Sequence, residues 1–152
     1  GYINQEGKEI VPIIYEHIDD FHEGLAPVKL NDKWGYVDCS EKVVIPPRYD
    51  DSWCFNESLA AVRVGEKWGF IDKTGHLLIP LQYDYAWNFK EDVAAVKQNG
   101  KWGFIDKAGQ EFLPFLYDEA DSFSKGFAEV KMDTLWGVID KTGTWVKNED
   151  CI

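Results

Sequence analysis

The chain is poor in the residues that usually carry chemistry. Its 152 residues include three histidines and three cysteines. Cys39, Cys54 and Cys151 show neither a CxxC pair nor ligand spacing, so no disulfide framework and no metal site is expected. His17, His22 and His76 fall at unrelated positions, and no GxSxG motif accompanies them, so no nucleophile with its base is in view. Long apolar runs are missing too. None approaches the roughly 18 residues of a membrane-crossing helix, and the first residues lack a charged-then-apolar pattern. Basic residues are outnumbered, with 16 Lys and Arg against 27 Asp and Glu and a formal net charge of −11. Nucleic-acid backbones and anionic membranes repel such a chain, so any large partner is expected to be neutral or basic; the alternative is that the acidity only keeps an aromatic-rich chain soluble.

What the sequence does have is apolar and aromatic content, 45% and 15% respectively, enough to bury a core. It also has a period. Trp34, Trp68, Trp102 and Trp136 are spaced by 34 residues, and each is followed by a glycine, at Gly35, Gly69, Gly103 and Gly137. No insertion interrupts the period. Extended backwards, it places Gly1 at the glycine of a further unit, with Tyr2, Ile3, Gly7 and Pro12 in register, so the chain is expected to begin inside a repeat with more protein upstream. One domain over residues 1–152 is expected, with units at about 1–33 (partial), 34–67, 68–101, 102–135 and 136–152 (partial).

Within a unit the apolar residues alternate with period two, and turn residues interrupt them too often for helices. A first strand such as Leu25-Ala26-Pro27-Val28-Lys29 runs into a two-residue turn, here Asn31-Asp32 and elsewhere Gly65-Glu66, Asn99-Gly100 or Asp133-Thr134. Such turns make tight hairpins, so the Trp-Gly strand returns antiparallel. A second turn, Asp72-Lys73-Thr74-Gly75 in one unit, leads to a short third strand such as Val44-Ile45-Pro46, where the proline is expected to end pairing. A non-strand connector with Tyr49-Asp50 and Phe55 then reaches the next unit. A three-stranded meander is too small to bury its own aromatics, so stacking of neighbours must supply the core. The expected fold is all-β, with the meanders stacked as an open, twisted, solenoid-like array; a propeller-like ring is the alternative. The glycine after each Trp is expected to permit close approach of backbone or an aromatic ring. After Val146 the pattern turns polar at Lys147 and Asn148, which is expected of a C-terminal cap or the native end.

The run Lys67-Trp68-Gly69-Phe70-Ile71-Asp72-Lys73-Thr74-Gly75 and its relative from Lys101 to Gly109, each followed by an apolar pair, Pro and Tyr-Asp, closely resemble the bacterial WG-repeat family over essentially the whole chain. The resemblance implies architecture above all. Members have diverse or unassigned functions and often stand beside other domains, so it brings no catalytic residue and no cofactor. The similarly named nucleic-acid-binding WGR domain is a different fold.

Among candidate residues, Asp38, Asp72, Asp106 and Asp140 are read as turn-heading structural acids rather than a metal ladder. Tyr15, Tyr49, Tyr83 and Tyr117 are read as connector anchors. The His22 cluster with Asp19, Asp20 and Glu23 is read as solvated. Trp53 and Trp87 break the pattern. They occupy matched connector positions where the outer units have Asp19 and Asp121; large rigid indoles are enriched at binding hot spots, so the pair is read either as a contact platform or as local packing that uses Trp in two units. With Glu57 and Glu91 they form the candidate binding set. The expected function is a non-catalytic scaffold or binding module that recognises a protein through its connectors. One specific form is an acidic, immunity-type protein that neutralises a basic partner. The competing class is a carbohydrate-binding or hydrolysing module that uses Trp53 and Trp87 with Glu57, Glu91 and Asp92.

Overall fold

The computed structural model describes residues 15–40 and 42–146; the expectations for the first fourteen residues and for the end after Val146 lie outside them. Every regular element among the described residues is a β-strand, and each 34-residue unit yields one four-stranded antiparallel sheet. Sheet 1 has the order β1 (His17–Ile18), β2 (Leu25–Leu30), β3 (Lys33–Asp38) and β4 (Val43–Tyr49). Sheet 2 follows with β5 (Asp51–Ser52), β6 (Ala60–Val64), β7 (Lys67–Ile71) and β8 (Leu77–Tyr83). Sheet 3 comprises β9 (Tyr85–Ala86), β10 (Val93–Gln98), β11 (Lys101–Asp106) and β12 (Glu111–Tyr117). Sheet 4 comprises β13 (Glu119–Ala120), β14 (Phe127–Met132), β15 (Leu135–Asp140) and β16 (Trp145–Val146). No sheet closes into a barrel. The chain divides into two compact units, residues 1–81 and 82–152.

The central hairpins form as their turn chemistry dictates. Asn31 and Asp32 take φ of 53° and 62°, and Asn99 and Gly100 take 53° and 82°, the paired left-handed residues of a type I′ turn. In the Gly65-Glu66 turn only the glycine is left-handed, at 63°. The registers follow, with Leu30 opposite Lys33 and Leu25 opposite Asp38 in sheet 1.

Two local expectations are corrected. The connector does contribute a strand. Its residues after the Tyr-Asp pair form the two-residue edge strands β1, β5, β9 and β13, in which Ser52 pairs with Val62 and Ala86 with Val96. Proline, moreover, does not end the third strand. In sheet 1 Trp34 pairs with Tyr49 and Tyr36 with Ile45, so the single residue Gly35 faces Pro46, Pro47 and Arg48 in a bulge. The missing prolyl N–H falls inside that bulge, where the ladder is already interrupted, and pairing resumes beyond it.

The bulge also explains the glycine after each Trp. A Cβ on Gly35 would lie 2.7 Å from the Pro46 carbonyl carbon and 2.6 Å from Pro47 N, and one on Gly69 would lie 2.9 Å from the Pro80 carbonyl carbon. At Gly103 the obstacle is the Phe115 ring at 2.8 Å, and at Gly137 it is the Trp145 ring. Backbone approach and ring approach thus both occur.

Within each compact unit a core forms between its two sheets. In the first unit Leu25, Tyr36 and Ile45 of sheet 1 pack on Ala60, Val62 and Ile71 of sheet 2, with Phe55 between them. In the second unit Val93, Ala95, Phe104 and Leu113 of sheet 3 pack on Ala128, Val130 and Ile139 of sheet 4, with Phe123 between them. The connector phenylalanine is a wedge in both. Phe55 meets Tyr36 edge-on at 4.8 Å, and Phe123 meets Phe104 edge-on at 4.9 Å.

Candidate functional site

Trp53 and Trp87 stand just beyond the edge strands β5 and β9, on identical backbone. Trp53 N donates to Ala61 O at 2.9 Å, and Trp87 N donates to Ala95 O at 3.0 Å. Asp19 and Asp121 make the same bond, to Pro27 O and Glu129 O, each at 2.9 Å. The backbone is therefore constant while the side chain changes.

Each connector indole stacks on the repeat tryptophan of its own sheet. Trp53 lies 6.1 Å from Trp68 at 17°, and Trp87 lies 6.3 Å from Trp102 at 13°. Tyr85 meets Trp87 edge-on at 5.1 Å. The connector indoles remain half-buried while the tryptophans beneath them are buried. A further anchor acts on Trp53, because the buried Tyr36 hydroxyl donates to its carbonyl at 2.7 Å. Burial holds that phenol well above the usual tyrosine range. Where Asp121 replaces the connector indole, Trp136 is 55% exposed, against 2% for Trp68 and 8% for Trp102.

Trp87, Trp102 and Trp136 line a cleft of about 340 Å³ together with Lys97, Glu119 and Asp121. Glu91 is not among its walls. Glu57 and Glu91 instead open tight turns, with φ of 51° and 53°. The Glu91 carboxylate accepts from Gly126 N at 2.9 Å and lies 3.4 Å from Lys141 Nζ, which also donates to the Glu91 carbonyl at 3.0 Å. The Gly126 N–H, with help from Lys141, keeps this carboxyl below the usual range. Glu23 acts alike in the first unit, accepting from Ser58 N at 2.9 Å and lying 3.3 Å from Lys73. Burial pushes Glu23 upward, but the Ser58 N–H and Lys73 outweigh it and the net shift is downward. These glutamates bind one repeat to the next, a link that spans 35 residues and leaves no local mark in the sequence.

The recurring aspartates fold the second turn. Asp38 accepts from Ser40 N at 2.9 Å, Ser40 Oγ at 2.7 Å and Lys42 N at 3.1 Å. Asp72 and Asp140 make the same set with Thr74 and His76, and with Thr142 and Thr144. The hydroxyl partner is the main cause of their lowered pKa values. Asp106 makes two backbone bonds, from Ala108 N at 2.9 Å and Gln110 N at 3.0 Å. The acids after the connector tyrosines tie repeats together. Asp50 pairs with Lys33 of sheet 1 and accepts from Gly65 N of sheet 2 at 2.7 Å; Asp118 pairs with Lys101 and accepts from Asp133 N at 2.9 Å. Of the acids around His22, Glu23 is taken up by its inter-repeat bonds, and His17 lies 3.3 Å from Asp19 in solvent. No group of three or more metal-ligating side chains occurs among the described residues.

One concavity has no counterpart in the sequence reading. Phe123, Phe127, Ala128, Glu129 and Val138 line an open cavity of about 620 Å³ on sheet 4, together with Lys90 and Asp121. Two of its lining residues, Glu129 where sheet 3 has Ala95 and Val138 where it has Phe104, are visible in the sequence as departures from the period.

The WG containing repeat family model matches the chain at residues 1–34, 34–68, 68–102 and 102–134. No curated protein matches it.

Proposed function

Because the chain belongs to the WG containing repeat family, we propose that it is a non-catalytic repeat module that recognises a protein partner through its connectors. The observation that carries this reading is the connector position itself. Its backbone bond is the same in all four sheets while its side chain switches between Trp and Asp, as in repeat binders that vary residues on a fixed frame. The chemistry-bearing acids, by contrast, are occupied with turns and inter-repeat links. Replacing Trp53 and Trp87 together by Asp tests the proposal, since Asp19 and Asp121 show that the frame accepts it. Crosslinked capture from the source cell should recover a specific partner with the parent chain and lose it with the double variant. Equal recovery by both chains would remove the connectors from the interface.

The immunity-type form, a basic partner held by the net charge of −11, requires affinity that falls steeply with salt. A carbohydrate reading draws on the cleft at Trp87, where an exposed Trp136 indole meets Lys97, Glu119 and Asp121. A glycan array without hits would end that reading.

A further inference from the structure

Two connector phenylalanines, Phe55 and Phe123, each fill a socket on the preceding sheet. Phe123 fills one formed by Val93, Ala95 and Phe104, and Phe55 fills one formed at Leu25 and Tyr36. The matching positions on sheet 4 are Phe127, Glu129 and Val138, and these three residues line the open cavity of about 620 Å³. Cross-strand register confirms the equivalence, because Ala95 pairs with Phe104 and Glu129 with Val138. Exposure changes accordingly. Phe127 is 37% exposed, while Leu25 and Val93 are 6% and 4% exposed.

The socket on sheet 4 is not a copy of the others. Val138 in place of Phe104 enlarges it, and Glu129 in place of Ala95 puts a carboxylate in its wall. Asp121 adds a second carboxylate to the lining, where sheet 3 has Trp87, and with Glu129 it outnumbers the one cation there, Lys90. The glutamate that binds a following repeat, Glu23 or Glu91, is here Lys125, so another unit of this kind would lack the carboxylate that holds its turn. We propose that this socket receives an aromatic side chain flanked by basic residues on a partner protein. The aromatic ring takes the place that Phe55 and Phe123 occupy on their sheets, and Glu129 and Asp121 pair with the flanking cations. The surface shares Asp121 with the cleft at Trp87, but neither Trp53 nor Trp87 lines it.

The probe is a hexapeptide with one Tyr between two Arg residues, titrated by heteronuclear NMR against the full chain. Its controls carry Glu in place of both Arg residues, or Ala in place of Tyr. The parent peptide should bind at least about tenfold more tightly than either control, with shifts at Phe127, Ala128 and Val138. Val138→Phe restores the residue of sheet 3 and should weaken binding by about tenfold or more, while Glu129→Ala should erase the preference for Arg over Glu. The double variant W53D/W87D should bind the peptide as the parent chain does, so failure of the connector reading leaves this result intact. Equal affinity for the three peptides would overturn the proposal, as would unchanged affinity in Val138→Phe. Concentration-dependent self-association that Val138→Phe abolishes would assign the socket to a second copy. Displacement of the probe by a peptide of residues 147–152 would assign it to the chain's own end. Either result would also overturn the proposal.

Discussion

Sheets 3 and 4 share a strand order, a hairpin register and a Trp-Gly strand, yet one is sealed and the other open. On β11 of sheet 3 Trp102, Gly103, Phe104 and Ile105 are buried; on β15 of sheet 4 Trp136 is exposed and Gly137 and Val138 are only half-buried. The strand is the same, so the difference arises from what covers it. Phe123 and β14 seal Phe104, and Trp87 seals Trp102, whereas Asp121 leaves Trp136 uncovered. Burial in this repeat thus depends on two covers, the connector residue of the same sheet and the sheet that follows.

That contrast can be broken most forcefully at the tryptophans. Trp102→Ala should cost about 3 to 5 kcal/mol through the cavity it leaves, while Trp136→Ala should cost under about 1 kcal/mol. Urea melts of the two variants check this, and similar losses would show that exposure does not govern the energy. A smaller effect belongs to the glycines. Gly103→Ala forces a Cβ against the Phe115 ring and the Leu113 carbonyl, at 2.8 and 3.0 Å, and should cost about 1 to 3 kcal/mol. The atoms nearest a Cβ at Gly137 belong to the Trp145 ring of the edge strand, and the cost of Gly137→Ala should be less because that ring is half-exposed and able to turn aside.

Glu91 sharpens the comparison by pH. Its carboxyl is held low in the folded state, so the stabilisation is present above the ordinary glutamate range and fades as pH falls through the lowered value. Glu91→Gln should therefore melt earlier than the parent at neutral pH, and the gap should close in acid. A gap that persists at low pH would mean that the Gly126 bond acts without charge. The smallest effect lies in the hairpin turns. Sheet 3 turns on Asn99-Gly100, while sheet 4 places the β-branched Thr134 at φ 73°. Thr134→Gly should stabilise by about 0.5 to 1 kcal/mol, read as a rise in the denaturant midpoint.

The period, the meander and the role of the glycines were legible because they recur locally: Trp-Gly followed by alternation, and Asp at the head of each turn. The bulge opposite Gly35 was not, since a proline read alone signals a strand end and only the register to β3 shows pairing resuming at Tyr49. The two-residue edge strands are too short to carry a period. At the candidate site Trp53 and Trp87 were visible as departures from the repeat, but their stacking on Trp68 and Trp102 depends on the fold. Glu57 and Glu91 stood out as acids near indoles. The bonds that Glu91 makes were not legible, because its partners Gly126 and Lys141 are 35 and 50 residues away.

The carboxylates that grip the hairpin turns bear on how such a chain can change over time. Hairpin tips are ordinarily where insertions and deletions are tolerated. Here Glu16 holds Asn31 N at 2.8 Å, Asp50 holds Gly65 N at 2.7 Å and Asp118 holds Asp133 N at 2.9 Å. An added residue would carry the donor away from its acceptor and break the link to the neighbouring sheet. Loop length is thereby frozen in all these units, and diversification is driven into side-chain identity at fixed positions. A lineage built on this unit would explore new surfaces by substitution and by gaining or losing whole repeats, and hardly at all by lengthening its loops.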